Sequence, residues 1–174
     1  ARLPWPLVLI RRCEAGSLDA ATLLTIARRL LPEFEYASVA LNGRRASLLI
    51  FRAASASPLP EARLNEIDAL FGLDGDEGAT RYADPRRSIS KRVVTRGGQI
   101  IGVRLAGEVQ AQGWIKESIA EGAAEAALAR WAVAPVSAPP SALPVRHKVV
   151  CQCADVSEVQ INKALAQGGS LDLL

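Results

Sequence analysis

The chain has no methionine and very few cysteines, histidines and aromatic residues. Its 174 residues include three cysteines, one histidine and 5% aromatic side chains. Three cysteines are too few, and odd in number, for the disulfide framework of a secreted domain, which favours a reducing compartment and a cytoplasmic location. A single histidine leaves the sequence without the ligands of a histidine-based metal triad.

Long apolar runs are also missing. No segment approaches the roughly 18 consecutive apolar residues that indicate a transmembrane helix. The short apolar run at residues 7–10 precedes an arginine pair, which is the reverse of the order in a secretory signal peptide. We therefore expect a protein with no membrane partner.

Positive charge is scattered along the chain, whose net charge is +3. Arginine occurs in pairs at positions 11–12, 28–29, 44–45 and 86–87, with no long basic run and no interleaved aromatic residues. This pattern argues against a nucleic-acid partner. We interpret the arginine pairs as solvated surface residues, the usual position of arginine in proteins.

The hydrophobic pattern of residues 1–131 predicts an α+β body in which helices pack on antiparallel hairpins. A buried strand is expected at residues 7–10. Helices are predicted within 17–32, with Ser17 as N-cap, within 60–72 and within 109–122.

Two hairpins are predicted between these helices. Asn42-Gly43 favours a two-residue type I′ turn. That turn would pair Leu41 with Arg44, Val39 with Ala46, and Ala37 with Leu48. The second hairpin would join residues 89–95 to 100–105 through the turn at Gly97-Gly98.

The body carries no motif of a known catalytic site. It has no glycine-rich phosphate loop between a strand and a helix and no Gly-x-Ser-x-Gly nucleophile turn. We therefore expect no catalytic residue in this chain. Residues 132–146, rich in proline, alanine and serine, are predicted to form an extended linker to a separate module at 147–174.

The module at 147–174 contains a Cys-x-Cys pair, Cys151 and Cys153. In an extended segment both sulfurs lie on the same side and can address one metal centre. Ser157 and Gln160 have the spacing of a capping box, so a helix would begin there with its positive end toward the cysteines. The alternative from these residues alone is that both cysteines are small buried side chains.

This segment, Val-Cys-x-Cys followed by Val-Ser-Glu-x-x-Ile and Gly168-Gly169, resembles the first half of a bacterioferritin-associated-ferredoxin-like [2Fe-2S] domain. The resemblance implies that Cys151 and Cys153 are cluster ligands and that two further cysteines complete the set. The chain ends at Leu174 without them. We expect, from this end and the missing methionine, a fragment cut through its cluster domain.

Residues 81–119 carry a second resemblance. Tyr-Ala-Asp-Pro-Arg-Arg-Ser-Ile at 82–89, the hairpin that follows and Trp114-Ile115 are similar to a segment that precedes the [2Fe-2S] domain in bacterial assimilatory nitrate reductases. There the segment is similar to the C-terminal domain of NADH-dependent flavin reductases. Body, linker and Val-Cys-x-Cys follow the order in the tail of that catalytic subunit, a member of the molybdopterin oxidoreductase family.

The resemblance implies an electron-transfer and docking role. A molybdenum bis-molybdopterin guanine dinucleotide centre, which reduces nitrate to nitrite, would lie in a part of the parent outside this chain. The cysteine module would accept electrons from a reductase partner, either a flavoprotein or a ferredoxin-like protein. Two alternatives remain: the C-terminal region of an NAD(P)H-dependent nitrite reductase, and a non-catalytic assembly module.

Overall fold

The structure, a computed structural model, describes residues 5–13, 19–42, 47–136, 138, 149–151 and 156–157. The chain divides into two compact units, Ala1–Pro140 and Ser141–Leu174. The division falls inside the segment that the sequence predicts to be a linker. The first unit is called the body below.

The body is built on a six-stranded antiparallel sheet. Its strands are β1 (Trp5–Cys13), β2 (Tyr36–Asn42), β3 (Ser47–Ser55), β4 (Ala79–Asp84), β5 (Ile89–Arg96) and β6 (Gln99–Ala106). Their spatial order is β2-β3-β1-β6-β5-β4, so β2 and β4 are the edges. β1 lies in the interior between β3 and β6, and it is the strand on which the two hairpins meet.

Four helices accompany the sheet: α1 (Ala20–Leu30), α2 (Glu61–Leu70), α3 (Gln112–Ala120) and α4 (Ala129–Val133). The largest apolar cluster joins α1 and α2 to one face of the sheet through Leu9 and Phe51. Arg52 points to the opposite face and donates to Gln112 at the start of α3. Helices therefore cover both faces, which explains why the middle of β1 is a continuous buried run rather than an alternating one.

The predicted mixed fold of antiparallel hairpins and packed helices is confirmed at this level. The hairpin at 89–105 is also confirmed, and Gly97 (φ 56°) and Gly98 (φ 76°) form its turn as the type I′ geometry requires. Edge strand β4 was missed. Its residues are mostly polar or exposed, so it lacks the apolar period that marks a strand.

The register of the first hairpin was predicted wrongly. Asn42 belongs to β2 and pairs with Leu48, and Val39 pairs with Phe51 instead of Ala46. Gly43 lies outside the described residues. The shift is odd, so it exchanges the two faces of β3 and turns Phe51 toward the main core.

Helix boundaries differ from the prediction at three places. Asp19, not Ser17, caps α1, and its carboxylate accepts the Thr22 N–H at 2.6 Å. Helix α3 begins at Gln112, later than expected. Helix α4 continues past the predicted end of the body at residue 131, and Ala132 within it is fully buried.

Gly102 offers a test of packing between β6 and the segment after α2. A Cβ at this position would collide with the Leu73 side chain and lie 3.2 Å from Cδ of Arg11. We expect Gly102→Ala to lower the free energy of unfolding by about 1–3 kcal/mol through overpacking. Gly113→Ala in α3 is the control, because no atom lies within 4 Å of its added Cβ. Urea unfolding that gives the two variants equal stability would contradict this packing.

Asp19 makes the cap of α1 dependent on pH. The hydrogen bond from Thr22 lowers the pKa of Asp19 from its usual 3.8. The folded pKa lies below the unfolded one, so the stabilisation is present above pH 3.8 and is lost as the pH falls through the folded value. Asp19→Asn keeps a capping acceptor without titrating. Melting temperatures should favour the wild type near neutral pH and converge in acid; a gap that does not change with pH would refute the charge effect.

Candidate functional site

Of the two predicted cluster ligands, the structure describes the backbone of one. Cys151 is the last residue of β7 (Val149–Cys151), which pairs antiparallel with β8 (Val156–Ser157). Its partner in the ladder is Val156. The extended backbone at Cys151 agrees with the conformation expected of a Cys-x-Cys ligand pair. Cys153 lies outside the described residues.

Ser157 also has an extended backbone, because it is the last residue of β8. An N-cap residue has this conformation before its helix begins. The helix predicted after Ser157, and the Gln160 partner of its capping box, lie outside the described residues. The helix therefore stays a prediction.

A different group of charged residues is brought together in the body. Arg104, Arg92 and Arg81 are directly paired across β6, β5 and β4, so all three project from the same face of the sheet. Arg104 is also paired with Leu9 of β1. On this face of the sheet, the apolar residues of β1 are therefore followed by three arginines on β6, β5 and β4.

Asp68 of α2 neutralises the innermost arginine. The Asp68 side chain is fully buried, and Arg104 donates from Nε to Oδ1 at 3.1 Å and from Nη2 to Oδ2 at 2.9 Å. Arg104 Nη1 donates to Ser90 Oγ at 2.6 Å, and Ser90 Oγ donates to Glu61 Oε1 at 3.1 Å. We call Asp68, Ser90, Arg92 and Arg104 the charged cluster.

Arg92 extends the charged cluster toward the surface. Its Nη2 donates to the backbone oxygens of Asp74 at 2.6 Å and Gly75 at 3.0 Å, and its Nη1 lies 3.9 Å from Oδ2 of Asp68. Its Nε is buried and has no hydrogen-bond partner in the described part of the chain. Arg92 therefore ties the loop after α2 to β5, the strand next to the β4 edge.

A cleft of about 360 Å³ opens beside the charged cluster. It is lined by Glu61, Asn65, Asp74, Arg81 and Arg92. Arg81 forms an ion pair with Asp76 on the same side. Two carboxylates and two guanidinium groups thus line the cleft, together with the Asn65 amide.

Burial and pairing act in opposite directions on the central carboxylate. Desolvation raises the pKa of Asp68 above its usual 3.8, whereas the hydrogen bonds and charge of Arg104 lower it. The one hydroxyl of the charged cluster, that of Ser90, accepts a hydrogen bond from Arg104 and donates one to Glu61, so it links the pair to the start of α2. Its geometry suits a structural ion pair that fixes α2 on the sheet.

Two further cations are buried elsewhere in the body. Lys91 projects from the face opposite to Arg92 and pairs with Glu108. Arg11 is only 2% exposed and donates from Nε to the Phe71 carbonyl at 3.0 Å, just after α2. The prediction that the paired arginines are solvated is therefore wrong for Arg11, while Arg28 is exposed as expected.

Sequence reasoning missed the charged cluster, although a signal was present. Arg104 stands alone in the otherwise apolar or small run that ends β6, and Arg92 precedes two valines in β5. A cation at an inward position of a buried strand requires a partner. Asp68, between Ile67 and Ala69 in α2, was the unassigned carboxylate that meets this need.

Comparisons with known proteins leave the chain without an assigned relative. No family model, curated protein or solved structure matches it.

Among the described residues, none of the helices is long and apolar enough to cross a membrane. Within the same residues, which leave out Cys153, no three of the side chains that commonly bind metals come together as a metal site.

The Asp68–Arg104 pair provides the test of the charged cluster. Asp68→Leu or Arg104→Leu alone should lower the free energy of unfolding by about 3–5 kcal/mol, since each leaves a buried charge without its partner. The double variant should lose clearly less than the sum of the two. A double-mutant cycle from urea unfolding measures this coupling.

The exposed pair of Arg63 and Glu66 is the matched control, since it joins the same kinds of groups on the surface of α2. Its coupling should be at most about 1 kcal/mol. Additive losses at Asp68 and Arg104 would show that the pair does not hold α2 in place.

Proposed function

We propose that this chain is the C-terminal electron-transfer and docking region of a molybdenum-dependent assimilatory nitrate reductase. The observation that carries the proposal is the sequence Val149-Val150-Cys151-Gln152-Cys153 after an α+β body, in the order of that family. Its support from the fold is that Cys151 ends a short strand within a compact unit distinct from the body. A separate unit suits a carrier that must meet a reductase partner.

The chemistry of the available donors fits an iron–sulfur centre. Cysteine thiolates are the ligands of [2Fe-2S] clusters, which accept and release one electron at a time. Cys151 and Cys153 would supply two of the four thiolates, and the other two would come from residues beyond Leu174. Residues outside this chain would likewise hold the molybdenum cofactor.

The body has a docking role in this proposal. Its buried ion pairs and two-sided core make it a stable domain, because α2 is fixed by Arg104 and the loop after it by Arg92. A stable domain of this kind would offer a surface to a protein partner. Since these charges are already used in internal contacts, we assign no catalytic step to the body.

An assembly module without redox chemistry is the second candidate. It is favoured by the internal contacts of Arg92 and Arg104, which serve the packing of α2 and of the loop after it. The nitrite reductase alternative keeps the same role for the cysteines and changes only the parent. The residues that precede this chain in its natural protein distinguish the parents, since molybdopterin-binding and dinucleotide-binding folds differ in their motifs.

The test is made in the full natural protein that contains this chain. Cys151→Ser should abolish the visible absorption of the cluster and its reduced-state EPR signal, because serine does not replace a thiolate ligand. Nitrate reduction with the physiological donor should stop, while a dye that reduces the molybdenum site directly should still support turnover.

The control is Cys13→Ser, which changes a half-buried thiol in β1 whose pKa is raised by burial. This variant should keep the cluster and the donor-driven activity. A wild-type protein without iron, or a Cys151→Ser protein with full absorption and activity, would exclude the electron-transfer role. Iron without molybdenum would redirect the proposal to the nitrite reductase alternative.

A further inference from the structure

Edge strand β2 lacks the features that normally keep a sheet edge from pairing. It spans Tyr36–Asn42, with the sequence Tyr-Ala-Ser-Val-Ala-Leu-Asn, and it contains no charge and no proline. Natural edge strands commonly carry lysine, proline or a bulge that prevents further strand addition. No irregularity interrupts the pairing of β2 with β3.

The outer side of β2 is open within the described residues. The sheet ends at β2, whose principal contacts there are β3, α1 and the short turn Leu31–Glu33. Tyr36 and Leu41, at either end of the strand, are 57% and 43% exposed. A row of backbone donors and acceptors therefore lies beside exposed apolar side chains.

The opposite edge shows the contrast. Strand β4 carries Arg81, which pairs with Asp76, and it ends at Asp84, whose carboxylate accepts the Arg86 N–H at 3.1 Å. Helix α4 also packs against β4. The β4 edge thus carries charges and a capped turn that the β2 strand lacks.

The side-chain pattern of β2 is complementary to itself in the antiparallel direction. With Val39 opposite its own copy, Ala37 faces Leu41 and Tyr36 faces Asn42 across the pair. Ala37 and Val39 pack against the main core, and Leu41 lies on the same face of the strand. The pairing would therefore join the cores of two molecules along one continuous face.

Charge in the sequence favours this direction. Glu33 and Glu35 precede β2, and Arg44 and Arg45 follow it. By their order in the sequence alone, an antiparallel partner would bring acidic residues toward basic ones, whereas a parallel partner would bring like charges together. The order of acidic and basic residues along the chain therefore suits two antiparallel strands related by a two-fold axis.

We propose that β2 pairs antiparallel with β2 of a second copy of this chain, with Val39 at the two-fold axis. The interface is isologous, since the same strand serves on both sides. Two six-stranded sheets become one continuous sheet, and the open edge is removed. This inference concerns the body alone and does not depend on the redox role of the cysteines.

The test uses charges placed at Tyr36 and Asn42, which are exposed in the single chain and face each other in the proposed pair. In the full 174-residue chain, Tyr36→Lys/Asn42→Lys puts like charges opposite each other twice per dimer. Its dimer dissociation constant should rise roughly tenfold or more. Tyr36→Lys/Asn42→Glu is the matched control, with opposite charges at the same places, and should retain dimerisation.

Sedimentation equilibrium over a concentration series measures these constants. A mixture of Tyr36→Lys/Asn42→Lys with Tyr36→Glu/Asn42→Glu should form a heterodimer although each alone is weakened. Added salt should reduce both effects.

A wild type that stays monomeric at every concentration would overturn the proposal. So would a dimer equally tight in the like-charge and opposite-charge variants, since it would use another surface. Loss of the dimer in both variants would also overturn the register, because opposite charges should have preserved it.

Discussion

The buried pair of Asp68 and Arg104 is the constraint on which the arrangement of the body depends. A fully buried carboxylate is tolerated only if a cation meets it with good geometry, and Arg104 does so through two nitrogens. Because Asp68 is on α2 and Arg104 on β6, the requirement fixes one helix over one strand. Apolar packing alone would allow α2 to slide, since it is not directional.

The Asp68–Arg104 pair also determines the hydrogen bonds of the neighbouring side chains. Ser90 takes the third donor of Arg104, and Arg92 turns outward to the carbonyls of the loop at 74–75. Through Arg92, the cluster therefore also fixes the position of the loop at residues 74–75. Each of these groups has an internal partner, so the cluster joins α2, β5, β6 and the loop after α2 through polar contacts.

The sequence predicted what depends on local pattern. The turn at Gly97-Gly98 has a backbone that few other residues adopt, and β1 has an apolar run that only a covered strand would have. The Asn42-Gly43 signal failed because register depends on which face of β3 meets the core, and Phe51 decides that through contacts with distant residues. The charged cluster joins residues 68, 90, 92 and 104, so no local pattern contains it. The two cysteines, by contrast, form a local pattern that the sequence shows directly. The proposed cluster requires two ligands besides Cys151 and Cys153.

The two edge strands of the sheet, β2 and β4, differ in charge and in their contacts. The β4 side carries charge, and Arg81 and Arg92 there are held by a carboxylate and by backbone oxygens. Strand β2 itself has neither charge nor bulge, and within the described residues no strand pairs with its outer side. The proposed pairing through β2 uses the same edge of both copies, so it gives a closed dimer that leaves no β2 edge to extend a fibre.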